Sequence, residues 1–350
     1  MMRSRLFVAV AGVIVLLVGV SPSAQANQAN QGRRATIPAH VFAPYYFDPA
    51  DTIAATAKNS GARYLTLAFL QTAETGSCTV DWNGDPTTPV AWSTYGAGIA
   101  ALRAAGGDVV PSFGGSDADT SNTELADSCP DVGAIAREYE RVITTYNVTR
   151  LDFDVEEDSI NAPANRPGID RRNKAINLVE KWAHRVHRTV QFVYTIPTNV
   201  SGLDSGGVHL LRNAVANHAR IDVVNVMTFD YYDDQSNACA AGTGPAHEMA
   251  ADTITAAGHL LRTLRQIYPH TTDGRLWRMI GVTEDIGRDD FGPCETLTTA
   301  DASVVAQWAL ARHLAEVSFW NVQRDTTARS QVPQTDWQFS RTFEPVTSRR

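Results

Sequence analysis

The sequence predicts an α/β protein in which eight parallel strands with outer helices close into a single (β/α)8 TIM barrel. Short runs rich in Val, Ile, Leu and aromatic residues alternate with segments of helical periodicity, and strands buried on both faces have this composition. The alternation occurs eight times within residues 38–347, a length that suits one barrel domain. An open doubly wound sheet is less favoured, because no Gly-rich phosphate-binding turn follows the first strand.

The elements follow one another in a regular order. The predicted strands cover residues 40–46, 63–70, 109–113, 150–156, 190–196, 223–229, 278–282 and 316–320. Between the third and fourth strands, apolar residues recur at helical spacing from Val132 to Ile143, and Asp131 can cap the start of that helix. Residues 334–346 form the last predicted helix. No linker or repeat interrupts residues 38–347, so we expect one domain.

The N-terminal segment has the features of a secretory signal peptide over residues 1–26. Two arginines precede an unbroken apolar run over residues 6–20, and Ala24-Gln25-Ala26 supplies a small-residue cleavage pattern. A retained membrane anchor is the alternative, which the short apolar run disfavours. Residues 27–37 are polar and are predicted to be a disordered leader. We therefore expect a secreted, extracellular protein.

Composition excludes several classes of partner. Of the 350 residues, 43% are hydrophobic and 19% are charged, which is typical of a globular protein. The formal net charge of −8 disfavours nucleic acid and anionic membrane surfaces as partners, because both attract concentrated positive charge. A neutral polymer remains compatible with this charge, and we expect the chain to be a monomer.

Four cysteines are compatible with two disulfides in an extracellular protein. Their number allows three connectivities, and sequence spacing alone does not choose among them. In a barrel, the loops after all the strands lie on one face. Cys78 and Cys129 follow the neighbouring strands two and three, while Cys239 and Cys294 follow strands six and seven. The barrel therefore predicts the pairs Cys78–Cys129 and Cys239–Cys294.

The fourth predicted strand carries three acids at alternate positions, Asp152, Asp154 and Glu156. Side chains alternate faces along a strand, so the acids share one face and the large apolar residues between them share the other. The apolar face suits the helices, which leaves the acids inside the barrel. Burying several carboxylates together is costly without shared protons or hydrogen bonds, so a purely structural strand has no reason to carry them. An exposed acidic strand end and a hard-cation site are the alternatives.

Four segments resemble the motifs of glycoside hydrolase family 18, the bacterial secreted chitinases among them. In chain order they are Ser112-Phe113-Gly114-Gly115 on strand three, Asp152-x-Asp154-x-Glu156 on strand four, Met227-Thr228-Phe229-Asp230 on strand six and Ser318-Phe319-Trp320 on strand eight. The resemblance spans the predicted barrel. It implies a retaining, substrate-assisted hydrolase that acts on chitin or other β-1,4-linked N-acetylglucosamine oligosaccharides and needs no cofactor and no metal.

The resemblance also implies the role of each acid. Glu156 would protonate the glycosidic oxygen and then activate water as a base. Asp154 would orient the 2-acetamido group of the substrate, whose carbonyl oxygen attacks the anomeric carbon, and Asp152 would share a proton with Asp154. This scheme is the substrate-assisted exception to hydrolysis by two carboxylates. The residues expected to bind substrate are Tyr46, Gly114, Gly115, Met227, Phe229, Asp230, Tyr231 and Trp320.

The sequence departs from the family pattern at two positions. Thr149 replaces the first Asp of the longer strand-four signature, far from the expected chemistry. Phe229 stands where the family often has Tyr, whose hydroxyl bonds the acetamido carbonyl, and Tyr231 or Tyr194 are candidates to supply that hydroxyl. Losing one such donor costs a few kcal/mol of barrier.

Two alternative functions on the same barrel stay open. An endo-β-N-acetylglucosaminidase acting on glycoprotein glycans would carry the same acids. A chitin-binding lectin with weak or no catalysis would typically lack the final acid, so Glu156 argues against it.

Two other patterns begin like metal sites but are incomplete. His247-Glu248 begins like a zinc-protease motif, but Ala251 occupies the second histidine position. Asp117-Ala118-Asp119 opens like a calcium loop, but Asn122 stands at the position that requires Gly. We expect the second pattern to form a polar loop after strand three.

Overall fold

The strands of the protein form one main sheet, which closes into a barrel as predicted. The computed structural model describes residues 36–47 and 51–347. The described strands are β1 (Val41–Phe42), β2 (Tyr45–Tyr46), β3 (Tyr64–Thr72), β4 (Val80–Trp82), β5 (Asp108–Gly114), β6 (Arg150–Asp154), β7 (Gln191–Pro197), β8 (Val223–Met227), β9 (Ile280–Asp285), β10 (Gly287–Arg288), β11 (Thr296–Leu297) and β12 (Glu316–Trp320). Neighbours pair in the order β1-β12-β9-β8-β7-β6-β5-β3-β2.

Helices fill the connections between the strands. The described α-helices are α1 (Ile53–Ser60), α2 (Trp92–Ala104), α3 (Ser116–Ser121), α4 (Leu125–Ser128), α5 (Val132–Tyr146), α6 (Glu157–Asn161), α7 (Arg166–Arg185), α8 (Ser205–Ala216), α9 (Asp234–Ala240), α10 (Met249–Ile267), α11 (Asp273–Trp277), α12 (Thr299–Arg312) and α13 (Gln338–Phe343). Short 3-10 turns cover Gly292–Cys294, Val322–Arg324 and Glu344–Val346. None of the helices in the described part of the chain is both long and apolar enough to cross a membrane.

The first strand closes the barrel in two halves. The predicted strand over residues 40–46 is divided at Ala43 and Pro44, because proline has no backbone N–H to donate to a ladder. The first half, β1, pairs in parallel with β12, and the second half, β2, pairs in parallel with β3. The one segment therefore joins both edges of the sheet, which excludes the open doubly wound alternative.

Some strand and helix ends differ from the prediction. The fourth strand ends at Asp154 rather than at residue 156, and Glu156 is the N-cap residue of the short helix α6. The sixth strand ends at Met227 and the seventh extends to Asp285. The last helix is shorter than predicted, at Gln338–Phe343 followed by a 3-10 turn. The antiparallel strand β4 and the β10–β11 hairpin are additions to the barrel that periodicity does not predict.

The layer between strands and helices confirms the predicted alternation along the fourth strand. Leu151, Phe153 and Val155 are fully buried there. The Phe153 ring packs against Tyr139 of α5 at 5.0 Å between ring centroids, and Phe113 packs against the same tyrosine at 4.9 Å. Asp131 caps α5 as predicted, because its Oδ1 accepts hydrogen bonds from two backbone N–H groups. The apolar side chains thus face the helices, and the acids between them face the barrel interior.

Both predicted disulfides are present. Cys78 is bonded to Cys129 and Cys239 to Cys294, with Cα–Cα distances of 4.7 and 5.7 Å. Each bond joins loops that follow neighbouring strands.

The barrel begins slightly earlier than predicted. Ile37, which the sequence assigns to the leader, is 5% exposed and packs with Val41, Tyr64 and Val110. It therefore belongs to the barrel, since its side chain is covered by core residues. The predicted signal peptide, residues 1–26, lies outside the described residues, as does the leader up to residue 35.

Candidate active site

A cleft of about 690 Å³ opens at the carboxyl ends of the barrel strands. Such a volume is typical of ligand-binding clefts. Asp154, Met227, Asp285 and Trp320, which end four different strands, lie in its wall. Active sites of TIM barrels form at this face because the loops after all the strands converge there.

Asp152 lies below the cleft and is held by three hydroxyl groups. Its Oδ2 accepts hydrogen bonds from Ser112 Oγ at 2.6 Å and from the Tyr45 hydroxyl at 2.9 Å. Its Oδ1 accepts a third from Thr195 Oγ1 at 2.7 Å. Burial raises the pKa of Asp152, and the three donors oppose that rise. Because both carboxylate oxygens accept hydrogen bonds from neighbouring hydroxyl groups, Asp152 is a fixed hydrogen-bond acceptor and is not placed to bind a cation.

A buried arginine lies below the acids on the same strand. Arg150 is 1% exposed, and its Nη1 lies 2.8 Å from Oε2 of Glu316 on β12. The positive charge of Arg150 lowers the pKa of Asp152. On the inward face of strand β6, the charge of Arg150 is therefore paired with Glu316 at the bottom of the barrel, whereas the charges beside Glu156 at the cleft are negative.

Asp154 is buried but not fully bonded. Its Oδ1 has no hydrogen-bond partner among the described residues, although the side chain lies in the wall of the cleft. Burial first, and then the negative charges of Glu156 and Asp152, raise its pKa well above the ordinary value. An unpartnered buried carboxyl oxygen that faces a cleft is available to a polar group of a ligand.

Glu156 lies in the wall of the cleft, two residues beyond the end of strand β6. Burial raises its pKa to about 8, and the charges of Asp119 and Asp230 add to the rise. A carboxyl group with this pKa carries a proton at neutral pH and can donate it, as a general acid must. The geometry thus brings together the three acids predicted on the fourth strand, with Glu156 outermost.

Asp230 faces Glu156 from the loop after β8. Its backbone has a φ of +46°, and its N–H points to Oδ2 of Asp289 at 3.4 Å. Its own Oδ1 accepts a hydrogen bond from the N–H of Asp290 at 3.3 Å. Burial and the charge of Asp290 raise the pKa of Asp230 to about 7. The loop therefore holds a second partly protonated acid in the wall of the cleft.

Aromatic rings form one wall of the cleft. The Trp320 ring is stacked on Phe69, with 5.6 Å between centroids and 13° between planes. Tyr45 and Phe47 also contact Trp320, at 5.8 and 5.1 Å. A supported flat indole face is suited to an apolar sugar face.

Some of the residues predicted to bind substrate lie in the cleft and others do not. The residues in the wall are Met227, Phe229, Asp230, Tyr231 and Trp320. Tyr46 does not line the cleft, because its side chain packs in the main core and its hydroxyl donates to the Asp51 carbonyl. Its neighbour Tyr45 lies in the cleft instead.

Gly114 and Gly115 shape the site without forming its wall. A Cβ atom on Gly114 would lie 2.0 Å from the carbonyl oxygen of Asp154, and one on Gly115 would lie 2.5 Å from the Phe69 ring. Both glycines have positive φ, 104° and 86°. They therefore permit close packing behind the acids and the aromatic wall, and their contact with substrate stays a prediction.

Tyr194 and Tyr231, the two candidates to replace the hydroxyl that Phe229 lacks, do not bond Asp152, Asp154 or Glu156 in the described structure. Tyr194 is fully buried and bonds Oδ1 of Asn173 on the helix side of the sheet. Tyr231 packs against His247, and the charge that raises its pKa most is that of Glu284. Tyr232 is 66% exposed and lies in the cleft wall.

Further residues complete the site. Tyr45 and Thr195 bond Asp152 but carry no motif. Asp285 and Arg324 form an ion pair of 2.5 Å in the cleft wall. Asp119, which lies in the segment that resembles a poor calcium loop, also lines the cleft. For Asp119 and Asp285 the available signal was an acid placed after a barrel strand or at its end.

Asp230 and two further acids, Asp289 and Glu295, lie close enough to one another to hold a metal ion. Oxygens of Asp230, Asp289 and Glu295 lie within 4.8 Å of one another. Glu295 accepts a hydrogen bond from the N–H of Tyr231, and Asp289 accepts one from that of Phe291. These carboxylates hold the loop of Asp230, and we assign no ion to them.

A family model decides the relationship that the motifs suggested. The model for glycosyl hydrolases family 18 matches residues 41–266, which is more than half of the chain. The chain belongs to glycoside hydrolase family 18. The matched region of this family 18 chain contains strands β1 to β8, and with them the acids at positions 152, 154 and 156.

Two curated relatives extend the similarity along the barrel. A probable bifunctional chitinase/lysozyme of Escherichia coli (strain K12) is 33% identical over 296 residues, which cover 82% of this chain and 31% of that protein. Endochitinase 11 of Metarhizium anisopliae is 32% identical over 299 residues, covering 83% of this chain and 53% of the relative. The chain thus spans about a third to a half of the length of these relatives.

Solved structures of family 18 share the architecture. The catalytic domain of the hyperthermophilic chitinase from Pyrococcus furiosus is 29% identical, with a TM-score of 0.74, and the match covers 89% of this chain and 96% of that one. A chitinase-like agglutinin from Robinia pseudoacacia is 12% identical, with a TM-score of 0.56 and coverage of 86% and 99%. The second comparison shows the fold alone, because the identity is low.

Proposed function

We propose that this family 18 protein is a chitinase, which hydrolyses β-1,4-linked N-acetylglucosamine polymers with Glu156 as its general acid and base. The observation that carries the proposal is the ascending arrangement of Asp152, Asp154 and Glu156 into one cleft, with the outermost acid protonated at neutral pH. The names of the relatives, a chitinase/lysozyme and an endochitinase, support this choice of substrate.

The first step of the proposed mechanism cleaves the glycosidic bond. Glu156 transfers its proton to the glycosidic oxygen, and the bond from that oxygen to the anomeric carbon breaks. The carbonyl oxygen of the substrate's own acetamido group bonds the anomeric carbon from the opposite face, which gives an oxazolinium ion. The free Oδ1 of Asp154 accepts a hydrogen bond from the acetamido N–H and so orients the attacking group.

The second step returns the proton. Glu156, now ionised, removes a proton from water, whose oxygen attacks the anomeric carbon and opens the oxazolinium ring. Two inversions at the same carbon retain the β configuration. Asp152 keeps its three hydroxyl donors throughout and supplies negative charge behind Asp154, which favours a proton on the pair.

Export from the cell is part of the proposal. The apolar run and cleavage pattern of residues 1–26 support a signal peptide, and the two disulfides suit an oxidising compartment. We propose that the protein acts outside the cell as a monomer.

Hydrolysis of chitotetraose by the Glu156→Gln variant tests the mechanism. The amide cannot donate or recover the proton, so we expect kcat to fall by about 10²–10⁴-fold, the range of general acid–base catalysis. Glu140→Gln on the outer helix α5 is the matched control and should keep the parent rate. A Glu156→Gln variant as fast as the parent would refute the proposal.

Product analysis tests the substrate and the stereochemistry. Proton NMR of fresh products should show the β anomer, and an α anomer would exclude substrate assistance. Release of high-mannose glycans from a denatured glycoprotein, with no action on chitin oligomers, would instead indicate an endo-β-N-acetylglucosaminidase. Binding of oligomers without cleavage would indicate a lectin.

A further inference from the structure

The carboxylate of Asp119 holds the backbone immediately after Glu156. Its Oδ2 accepts the N–H of Asp158 at 2.9 Å, and its Oδ1 accepts the N–H of Ser159 at 2.6 Å. Asp119 lies on the short helix α3, after the third barrel strand, and is 5% exposed. One buried side chain therefore fixes two successive peptide groups in the first turn of helix α6.

Glu156 has no hydrogen bond of its own to fix its direction. Within residues 36–47 and 51–347 its carboxyl group has no hydrogen-bond partner, and it does not cap helix α6 with its side chain. The placement of this carboxyl group therefore depends on the backbone that carries it. On the strand side that backbone is held by the N–H of Val155, which donates to the Thr195 carbonyl at 2.9 Å, and on the helix side the Glu156 carbonyl accepts the N–H of Ile160 at 3.0 Å. Asp119 fixes the first turn of this helix from outside it, at Asp158 and Ser159.

We propose that Asp119 is a positioning residue for catalysis, which holds the segment from Glu156 to Ser159 so that the Glu156 carboxyl group faces the glycosidic oxygen. This inference rests on the proposed function of Glu156. Because only interactions in the correct geometry lower the barrier, a small displacement of the acid is expected to slow the reaction more than it weakens binding.

A second acid supports the same turn from behind. Ser159 Oγ donates to Oδ2 of Asp127 at 2.5 Å, so the serine is held through its main chain by Asp119 and through its side chain by Asp127. Beside Asp127, the buried Arg172 and Glu124 form an ion pair of 2.7 Å. The turn after Glu156 is thus fixed to a buried ionic cluster, which makes Asp119 part of a rigid support.

Asp119 also affects the proton on Glu156. After burial, the charge of Asp119 is the largest contribution that raises the pKa of Glu156, followed by those of Asp230 and Asp117. Removing the charge at position 119 should therefore lower the pKa of Glu156. Glu156 acts as an acid in its protonated form, so the alkaline limb of the kcat/KM profile should move to lower pH.

Three variants separate position from charge. Asp119→Asn loses the charge and keeps one acceptor oxygen, so we expect kcat on chitotetraose to fall roughly 10- to 100-fold, with little change in KM and an alkaline limb at lower pH. Asp119→Glu keeps the charge but is too long for both hydrogen bonds, so kcat should fall while the limb stays in place. Asp117→Asn removes an exposed charge of the same helix that raises the pKa of Glu156 less than Asp119 does, so we expect a smaller shift of the alkaline limb and, below that limb, a kcat near the parent value.

A titration that needs no activity completes the test. Carbon-13 NMR of glutamate side chains, with the Glu156 signal assigned by its loss in Glu156→Gln, should show a lower apparent pKa in Asp119→Asn than in the parent. If Asp119→Asn keeps the parent kcat, or if Asp117→Asn slows the reaction equally, the inference is overturned while the proposed function stands. An inactive parent would refute the proposed function, and an unshifted Glu156 titration would then still overturn the inference.

Discussion

Tyr45 and Asp152 are joined across the barrel interior by a hydrogen bond of 2.9 Å, from the tyrosine hydroxyl to the carboxylate. These residues belong to β2 and β6, which are not neighbours in the sheet, so the hydrogen bond crosses the barrel interior. Because Tyr45 also contacts Trp320, one side chain supports both the acids and the aromatic wall.

Replacing Tyr45 with phenylalanine should slow the reaction. The variant removes a donor to a buried carboxylate, an interaction of about 1.5–3 kcal/mol, so we expect a roughly 10- to 100-fold lower kcat/KM on chitotetraose. Tyr46→Phe is the matched control, since its hydroxyl bonds the Asp51 carbonyl away from the cleft. It should cost about 1 kcal/mol of stability and leave kcat unchanged. Equal kinetic effects of the two variants would contradict this assignment.

The pair of neighbouring tyrosines shows what the sequence could predict and what it could not. Eight alternations and the strand-four acids predict a closed barrel with an acidic interior, and neighbouring loops predict both disulfides. Alternation is kept along the first strand, since Val41 and Ala43 pack inside the barrel as Tyr45 does, whereas Phe42 and Tyr46 pack in the main core. Both faces of this segment are apolar or aromatic, so the sequence alone does not tell which face is the inner one. In the structure, Tyr45 rather than Tyr46 faces the site.

Loop contacts were also beyond the sequence. The two hydrogen bonds that Asp119 accepts join segments about 40 residues apart in the chain, and they depend on how the connections after two barrel strands meet. Periodicity and motifs describe strands and their order, but a loop conformation is set by tertiary contacts. The sequence therefore identified the acids on the strand and not the residue that holds the outermost one.

The protonated state of Glu156 should make stability depend on pH. Its pKa rises from an ordinary 4.5 to about 8 on folding, so the folded protein retains a proton that the unfolded chain releases. This contribution is fully present below about pH 4.5 and is lost as the pH rises through about 8. Glu156→Gln cannot ionise, so we expect its Tm to exceed that of the parent at pH 9 by more than at pH 5. A difference that does not change with pH would contradict the raised pKa.

The two disulfides should contribute equally to stability and differently to function. The two cysteines of one disulfide are 51 residues apart in the sequence and those of the other are 55 residues apart. Opening either disulfide should therefore lower the free energy of unfolding, measured in urea, by about 2–4 kcal/mol. Cys239 and Cys294 join the loops that carry Asp230 and Asp289, and we expect the double serine variant of this pair to raise KM several-fold more than that of Cys78 and Cys129. Equal effects on KM would show that the Asp230 loop is held without its disulfide.

The indole ring of Trp320 should contribute mainly to binding. Replacing it with alanine removes the flat face that Phe69 supports, and we expect a loss of about 2 kcal/mol, which is roughly a 30-fold weaker affinity for chitin oligomers in calorimetry. Trp277→Ala is the matched control, because that ring contacts Trp308 and Arg312 on the outer helices. It should lower stability and leave the affinity unchanged. If Trp320→Phe recovers most of the lost affinity, the flat ring face accounts for the binding; if it recovers none, the ring acts by packing against Phe69 instead.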